Sequence, residues 1–116
     1  MTETLIDKQR VKANVLADAT HDYVGLYEVV WDLNTQYPSE TEDAKLNAAR
    51  TIVRELFSTG MVELYRSEDW PPTGYEHVER PEAESLLDLS TSYQLPDRSE
   101  GTTIYWLAAC GGRNAC

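Results

Sequence analysis

The stretch SETEDAKLNAARTIVRELFSTGMVELYR, Ser39 to Arg66, decides the fold. Ser39 followed three residues later by Glu42 fits a capping box, and Glu40, Glu42 and Asp43 place negative charge where the helix dipole favours it. Leu46, Ala49, Ile52, Val53, Leu56 and Phe57 recur at three- and four-residue spacing and share one face. Asp43, Asn47, Arg50, Thr51 and Arg54 fall on the opposite face. Gly60 supplies the left-handed residue that ends helices. Met61 to Arg66 then alternates, Val62 and Leu64 one way and Glu63 and Tyr65 the other, as a strand does. One long helix, a glycine stop and a short strand are expected.

Upstream, Thr2 to about Asp18 is expected to form a first helix, or else a frayed arm. Leu5, Ile6, Gln9, Ala13, Leu16 and Ala17 form its main stripe, and Val11 and Val15 form a second. Two stripes imply two contacts, the domain body and a second subunit, so a homodimer through residues 2–18 is one expectation. Thr20 or Asp22 caps a second helix, Tyr23 to about Thr35, whose apolar residues leave only Gly25, Glu28 and Asp32 polar. Trp31 belongs in the core on that pattern. Tyr37-Pro38 breaks the chain.

Downstream, Tyr75–Val78 offers a short extended piece. Pro81 suits the first position of a short helix with Leu86 and Leu87 inward. Thr102–Ala109 alternates as a closing strand whose natural mate is Met61–Arg66. The fold class expected is mainly α with a small β-hairpin, an α+β domain. It comprises an N-terminal helix or arm over residues 1–20, a body over 21–109 and a tail over 110–116.

The net charge of -10, with 20 acidic and 10 basic side chains, repels phosphate backbones and favours a cationic partner, or else simply keeps a small protein soluble. Residues 67–101 concentrate this acidity, with nine carboxylates against Arg80 and Arg98. At 116 residues and 41% hydrophobic content the chain is a single globular domain. No apolar run approaches the roughly 20 residues that span a bilayer, and a cytoplasmic location follows by default. Cys110 and Cys116 form neither a zinc framework nor a disulfide scaffold.

No Walker loop, G-x-S-x-G or Cys–His pairing is present, so enzyme chemistry, cofactors and metals are not expected. His21-Asp22 reads as a loop or cap pair. His77, flanked by Glu76 and Glu79, matches no metal-ligand spacing and reads as a loop residue. Trp70, between Asp69 and Pro71, lacks periodic companions; it either anchors an interface or folds back over the hairpin.

The run ELFSTGMVELYR, the later helix EAESLLD and the closing strand TIYWLA resemble winged-helix domains over about Asp22 to Ala109. The resemblance implies a three-helix core with a hairpin, and DNA binding through the helix before the hairpin, with Asn47, Arg50, Thr51 and Arg54 outward. Two departures stand beside it. No turn divides the run from Pro38 to Gly60, so a helix-turn-helix would be merged into one helix, and the wing is enlarged by an acidic insertion.

The leading expectation is therefore a non-enzymatic, acidic protein-interaction module, of inhibitor, immunity or adaptor type. It would grip a basic partner with Trp70, Tyr75, Glu76, Glu79, Glu82 and Glu84. The alternative is a winged-helix transcriptional regulator that binds nucleic acid. A weaker one is a small-molecule sensor with a pocket among Tyr23, Tyr27 and Trp31.

Overall fold

A computed structural model describes residues 6–68, 74–93 and 103–109. The element order is α1 (Lys8–His21), β1 (Val24–Gly25), α2 (Leu26–Gln36), α3 (Glu42–Ser58), β2 (Val62–Ser67), β3 (Glu76–His77), α4 (Arg80–Leu87), a 3₁₀ turn (Ser90–Tyr93) and β4 (Ile104–Ala109). The expected α+β class, helices with a small antiparallel sheet, is what the chain forms.

α3 has the bounds read from the sequence, although its cap differs. Thr41, not Ser39, accepts the hydrogen bond from the Ala44 amide, at 3.1 Å. The reason is the turn after Pro38: the Glu40 amide donates to the Tyr37 carbonyl, so helix cannot begin until that turn is complete. At the other end Gly60 has φ +78, and the Gly60 and Met61 amides donate back to Phe57 and Leu56. This paired closure satisfies two carbonyls that the helix end leaves open. α3 is a single continuous helix, and the break that divides it from α2 lies at residues 37–41, at the very start of the Pro38–Gly60 run.

α1 is shifted and rotated from its expected form. It begins after Asp7, whose carboxylate accepts from the Arg10 amide, and its buried residues are Val11, Val15 and Ala19. Of the expected main stripe, Ile6 is buried just ahead of the helix and Leu16 is half-buried, but Gln9, Ala13 and Ala17 are exposed, and Leu5 lies outside the described residues. Two β-branched side chains one turn apart remove more apolar area from water than two alanines, so the valine stripe faces the core. The Asp7 amide also donates to the Tyr37 hydroxyl at 3.2 Å, which ties the start of α1 to the end of α2.

The largest departure is β1. Val24 and Gly25, expected to be helical, are extended and pair with Leu107 and Trp106 of β4. α2 therefore starts at Leu26, capped by neither Thr20 nor Asp22. Instead the Glu28 carboxylate accepts from the Gly25 amide at 2.6 Å. With that start Leu26, Tyr27, Val29 and Leu33 turn inward, whereas Trp31 is 53% exposed and is not a core residue.

β4 lies between β1 and β2, and β3 extends β2, giving the order β1-β4-β2-β3. The β2–β4 register runs antiparallel from Val62 opposite Ala109 to Ser67 opposite Ile104, the pairing read from the alternating patterns. Val62, Leu64 and Leu107 join Val11, Ile52, Val53, Leu56 and Phe57 in the main core. Alternate residues form a second cluster, Ile104 and Trp106 with Tyr27, flanked by Tyr23 and Tyr65. The Trp106 indole N–H donates to Ser67 Oγ at 2.9 Å, so this buried donor is satisfied.

Gly25 is fixed by close approach rather than by a positive φ. A Cβ there would lie 2.8 Å from Cδ1 of the Tyr27 ring, and that ring is itself buried against Trp106. Gly25→Ala should lower the unfolding free energy by about 1–3 kcal/mol, the usual cost of overpacking. Urea denaturation followed by circular dichroism measures this, and an unchanged midpoint would show that Tyr27 yields freely.

Candidate functional site

The outward face of α3 is where DNA contact is expected under the regulator alternative. Asn47, Thr51 and Arg54 are exposed there and Arg50 is half-buried. Both arginines, however, are engaged by the end of α4. Arg54 pairs with the Asp88 carboxylate at 2.9 Å, and Arg50 donates to the Asp88 carbonyl at 3.3 Å and to Asn47 Oδ1 at 3.0 Å. Asp88 is the C-cap of α4, so its carboxylate and the partial negative charge of a helix end converge on the two guanidinium groups. Elsewhere on the helix, Lys12 of α1 pairs with Glu55 at 3.1 Å. Lys45 is buried in the crevice it lines with Val30, Asn34, Leu46 and Tyr93. Lys12, Lys45, Arg50 and Arg54 thus form no open cationic stripe.

The carboxylates of the 67–101 insertion divide into two groups. The Arg66 guanidinium bridges Glu76 and Glu82, each at 3.0 Å, so its single positive charge offsets half of the charge of these two. Glu79 and Glu84 are exposed. Tyr75 folds back, stacking on Tyr23 with ring centroids 3.6 Å apart and meeting Trp106 edge-on. Trp70 lies outside the described residues, as do Cys110 and Cys116.

His77 has a role that its sequence neighbours did not suggest. In β3, opposite Tyr65, its Nε2 lies 2.7 Å from Glu63 Oε1, whereas Nδ1 is 3.9 Å from Glu79. Glu63 is buried in β2, and its other oxygen faces Arg80 at 3.5 Å. Arg80 in turn donates to the Phe57 carbonyl at 3.0 Å and lies over the Phe57 ring, 4.2 Å from its centroid. A buried carboxylate needs such partners, and this network joins β2, β3, α4 and the end of α3. The sequence carries no local signal for this contact, because only the β2–β3 register sets residues 63 to 65 beside residue 77. Among the described residues no group of three His, Cys, Asp or Glu is arranged to hold a metal ion. No helix among them is long and apolar enough to cross a membrane.

One concave feature takes in two of the three aromatic residues of the expected sensor pocket, Tyr23 and Trp31. The end of α1, β1 and the start of α2 enclose an open groove of about 520 Å³. Val15, Val24 and Val29 are its buried floor, Tyr23 and exposed Trp31 its aromatic walls, and Asp18, Asp22, Glu28 and Asp32 its rim, with no lysine or arginine among the described lining residues. Tyr27, expected beside Tyr23 and Trp31 in a pocket, lies behind the wall instead, 5% exposed, with its ring edge-on to Trp31 at 5.0 Å. Burial, and after it the charge of Glu28 and the hydroxyl of Tyr75, push the Tyr27 phenol up to about 12.

No protein-family model, curated protein or solved structure matches the chain.

The exposed Arg54–Asp88 pair is worth at most about 1 kcal/mol, so Asp88→Asn should leave thermal stability nearly unchanged. A loss beyond that on calorimetry would make Asp88 a structural residue. The folded state holds the Tyr27 proton that an unfolded chain releases near the ordinary value of 10. Stability is therefore unaffected below pH 10 and falls as pH rises from 10 through about 12. Urea midpoints across that range check the sign, and a rising midpoint would contradict it.

Proposed function

We propose that the chain is a non-enzymatic, winged-helix-like module that binds another protein carrying a basic surface. Three helices followed by the β2–β4 hairpin support the architectural part of this proposal. The functional part is carried by one observation. Arg50, Arg54, Lys12, Arg66 and Arg80 are each engaged by oxygens of the chain itself, while the chain as a whole retains a net charge of -10.

Magnitudes matter, because an exposed ion pair is weak and Arg54 would leave Asp88 at small cost if a phosphate were offered. What opposes a duplex is the summed field. A polyanion approaching α3 meets a surface of its own sign, and a polycation meets an attractive one over a Debye length of about 8 Å at physiological salt. An inhibitor, immunity or adaptor role follows from such a surface, since carboxylates complement the basic site of a partner.

The regulator alternative keeps one structural point in its favour: α3 is a continuous helix immediately before a hairpin, with Asn47, Thr51 and Arg54 exposed. Two assays on the purified chain separate the readings. Fluorescence anisotropy with a labelled oligoarginine peptide should report binding that weakens as salt rises. Gel shift over random duplex DNA at low salt should show none. A duplex shift that disappears on Arg50→Ala with Arg54→Ala, without peptide binding, would overturn the proposal in favour of the regulator.

A further inference from the structure

We infer that the groove between the end of α1 and the start of α2 is a receptor for an arginine side chain of the partner protein, which stacks on Trp31. The inference rests on the reading of a cationic partner and assigns the contact to a different surface from the 67–101 insertion.

Three observations converge on it. First, Trp31 is 53% exposed on a helix whose other large apolar residues turn inward, and it borders a concavity rather than a flat face. Its position is fixed from behind by the buried Tyr27 ring, so the indole is a rigid platform. Second, the floor of Val15, Val24 and Val29 suits the aliphatic stem of a long side chain, which sheds water there while its head stays polar. Third, four carboxylates border the groove, with His21 the one basic side chain among its described lining residues. Asp18 and Asp22 close the α1 side and Glu28 and Asp32 the α2 side.

These carboxylates retain accepting capacity. Glu28 uses one oxygen on the Gly25 amide, Asp22 one on the Tyr23 amide, and Asp32 one on the Gln36 amide group. Each ionised carboxylate accepts through two oxygens and about four lone-pair positions. A concave site focuses such a field more than a convex edge does. By contrast Glu76 and Glu82 of the insertion already share Arg66.

The geometry selects guanidinium over ammonium. Its planar, weakly hydrated face stacks on an indole while its five donors reach carboxylates at the edge, whereas an ammonium is a compact hydrated charge. Neutral aromatic ligands gain nothing from the rim, and anions are repelled by it.

The experiment uses the full chain and labelled oligoarginine and oligolysine peptides of equal length. Oligoarginine should bind more tightly, and amide and indole NMR shifts on titration should centre on residues 18–32. Trp31→Ala should weaken oligoarginine binding roughly tenfold, the cost typical of a tryptophan hot spot. Asp18→Asn with Asp32→Asn should weaken it comparably. Glu79→Gln with Glu84→Gln removes the same net charge from the α4 surface and should have a much smaller effect.

If the two double variants weaken binding equally, or if Trp31→Ala changes nothing, the groove is not the receptor, although the chain still binds cations. If the unaltered chain binds neither peptide, the cationic-partner reading falls with it. Equal affinity for the two peptides would overturn the stacking on Trp31. Asp18 is exposed and Asn keeps a hydrogen-bonding group beside Gln36, so the double Asp variant tests the inference even if Trp31→Ala fails to fold.

Discussion

The arrangement of this chain depends on β4 pairing with two partners at once. Ile104–Ala109 sits between β1 and β2, bonded to residues some eighty positions away on one side and some forty on the other. Such pairing closes long loops and is entropically costly, yet loop-closure cost grows only slowly with length. Its consequences are local and specific. Val24 and Gly25 are held extended, so α2 cannot begin before Leu26, and a helix turns 100° per residue from wherever it begins. That phase directs Leu26, Val29 and Leu33 inward and leaves Trp31 on the opposite side. The acidic groove is thus a by-product of strand pairing, since the same extension carries Tyr23 to its wall.

The parts legible in the sequence were those set by local chemistry. A helix with a charged first turn, a six-residue apolar face and a glycine stop gave α3 its bounds. Alternation in Met61–Arg66 and Thr102–Ala109 marked the two strands as partners, without fixing their register. Pro81 at the opening of α4 belongs to the same class, because a fixed φ and a missing donor are properties of one residue.

What was not legible was non-local. Val24 and Gly25 have no helix-breaking neighbour; only Trp106 and Leu107, far along the chain, recruit them into a strand. Both stripes of α1 were visible, but choosing between them needed the volume offered by α3 and β4. Trp31 looked like core because hydrophobicity was counted around the helix without its starting phase. His77 looked like a loop residue because its partner, Glu63, is brought beside it by the β2–β3 register rather than by proximity in the chain.

The same distinction between local composition and spatial neighbours governs the charge. Counted along the chain, the 67–101 insertion is the most acidic part and invites assignment as the contact surface. Counted in space, much of its charge faces the chain's own cations: Arg66 holds Glu76 and Glu82, and Asp88 holds Arg50 and Arg54. These exposed pairs are individually weak, so what they change is the local sum of charge around α3 and β2 rather than the availability of any one arginine. On the α1–α2 side the described lining offers Asp18, Asp22, Glu28 and Asp32 no lysine or arginine. On the proposed reading the insertion bears on partner choice at a distance: its described carboxylates sit beside basic residues of α3 and β2, while the described lining of the α1–α2 groove carries carboxylates without a lysine or arginine to offset them.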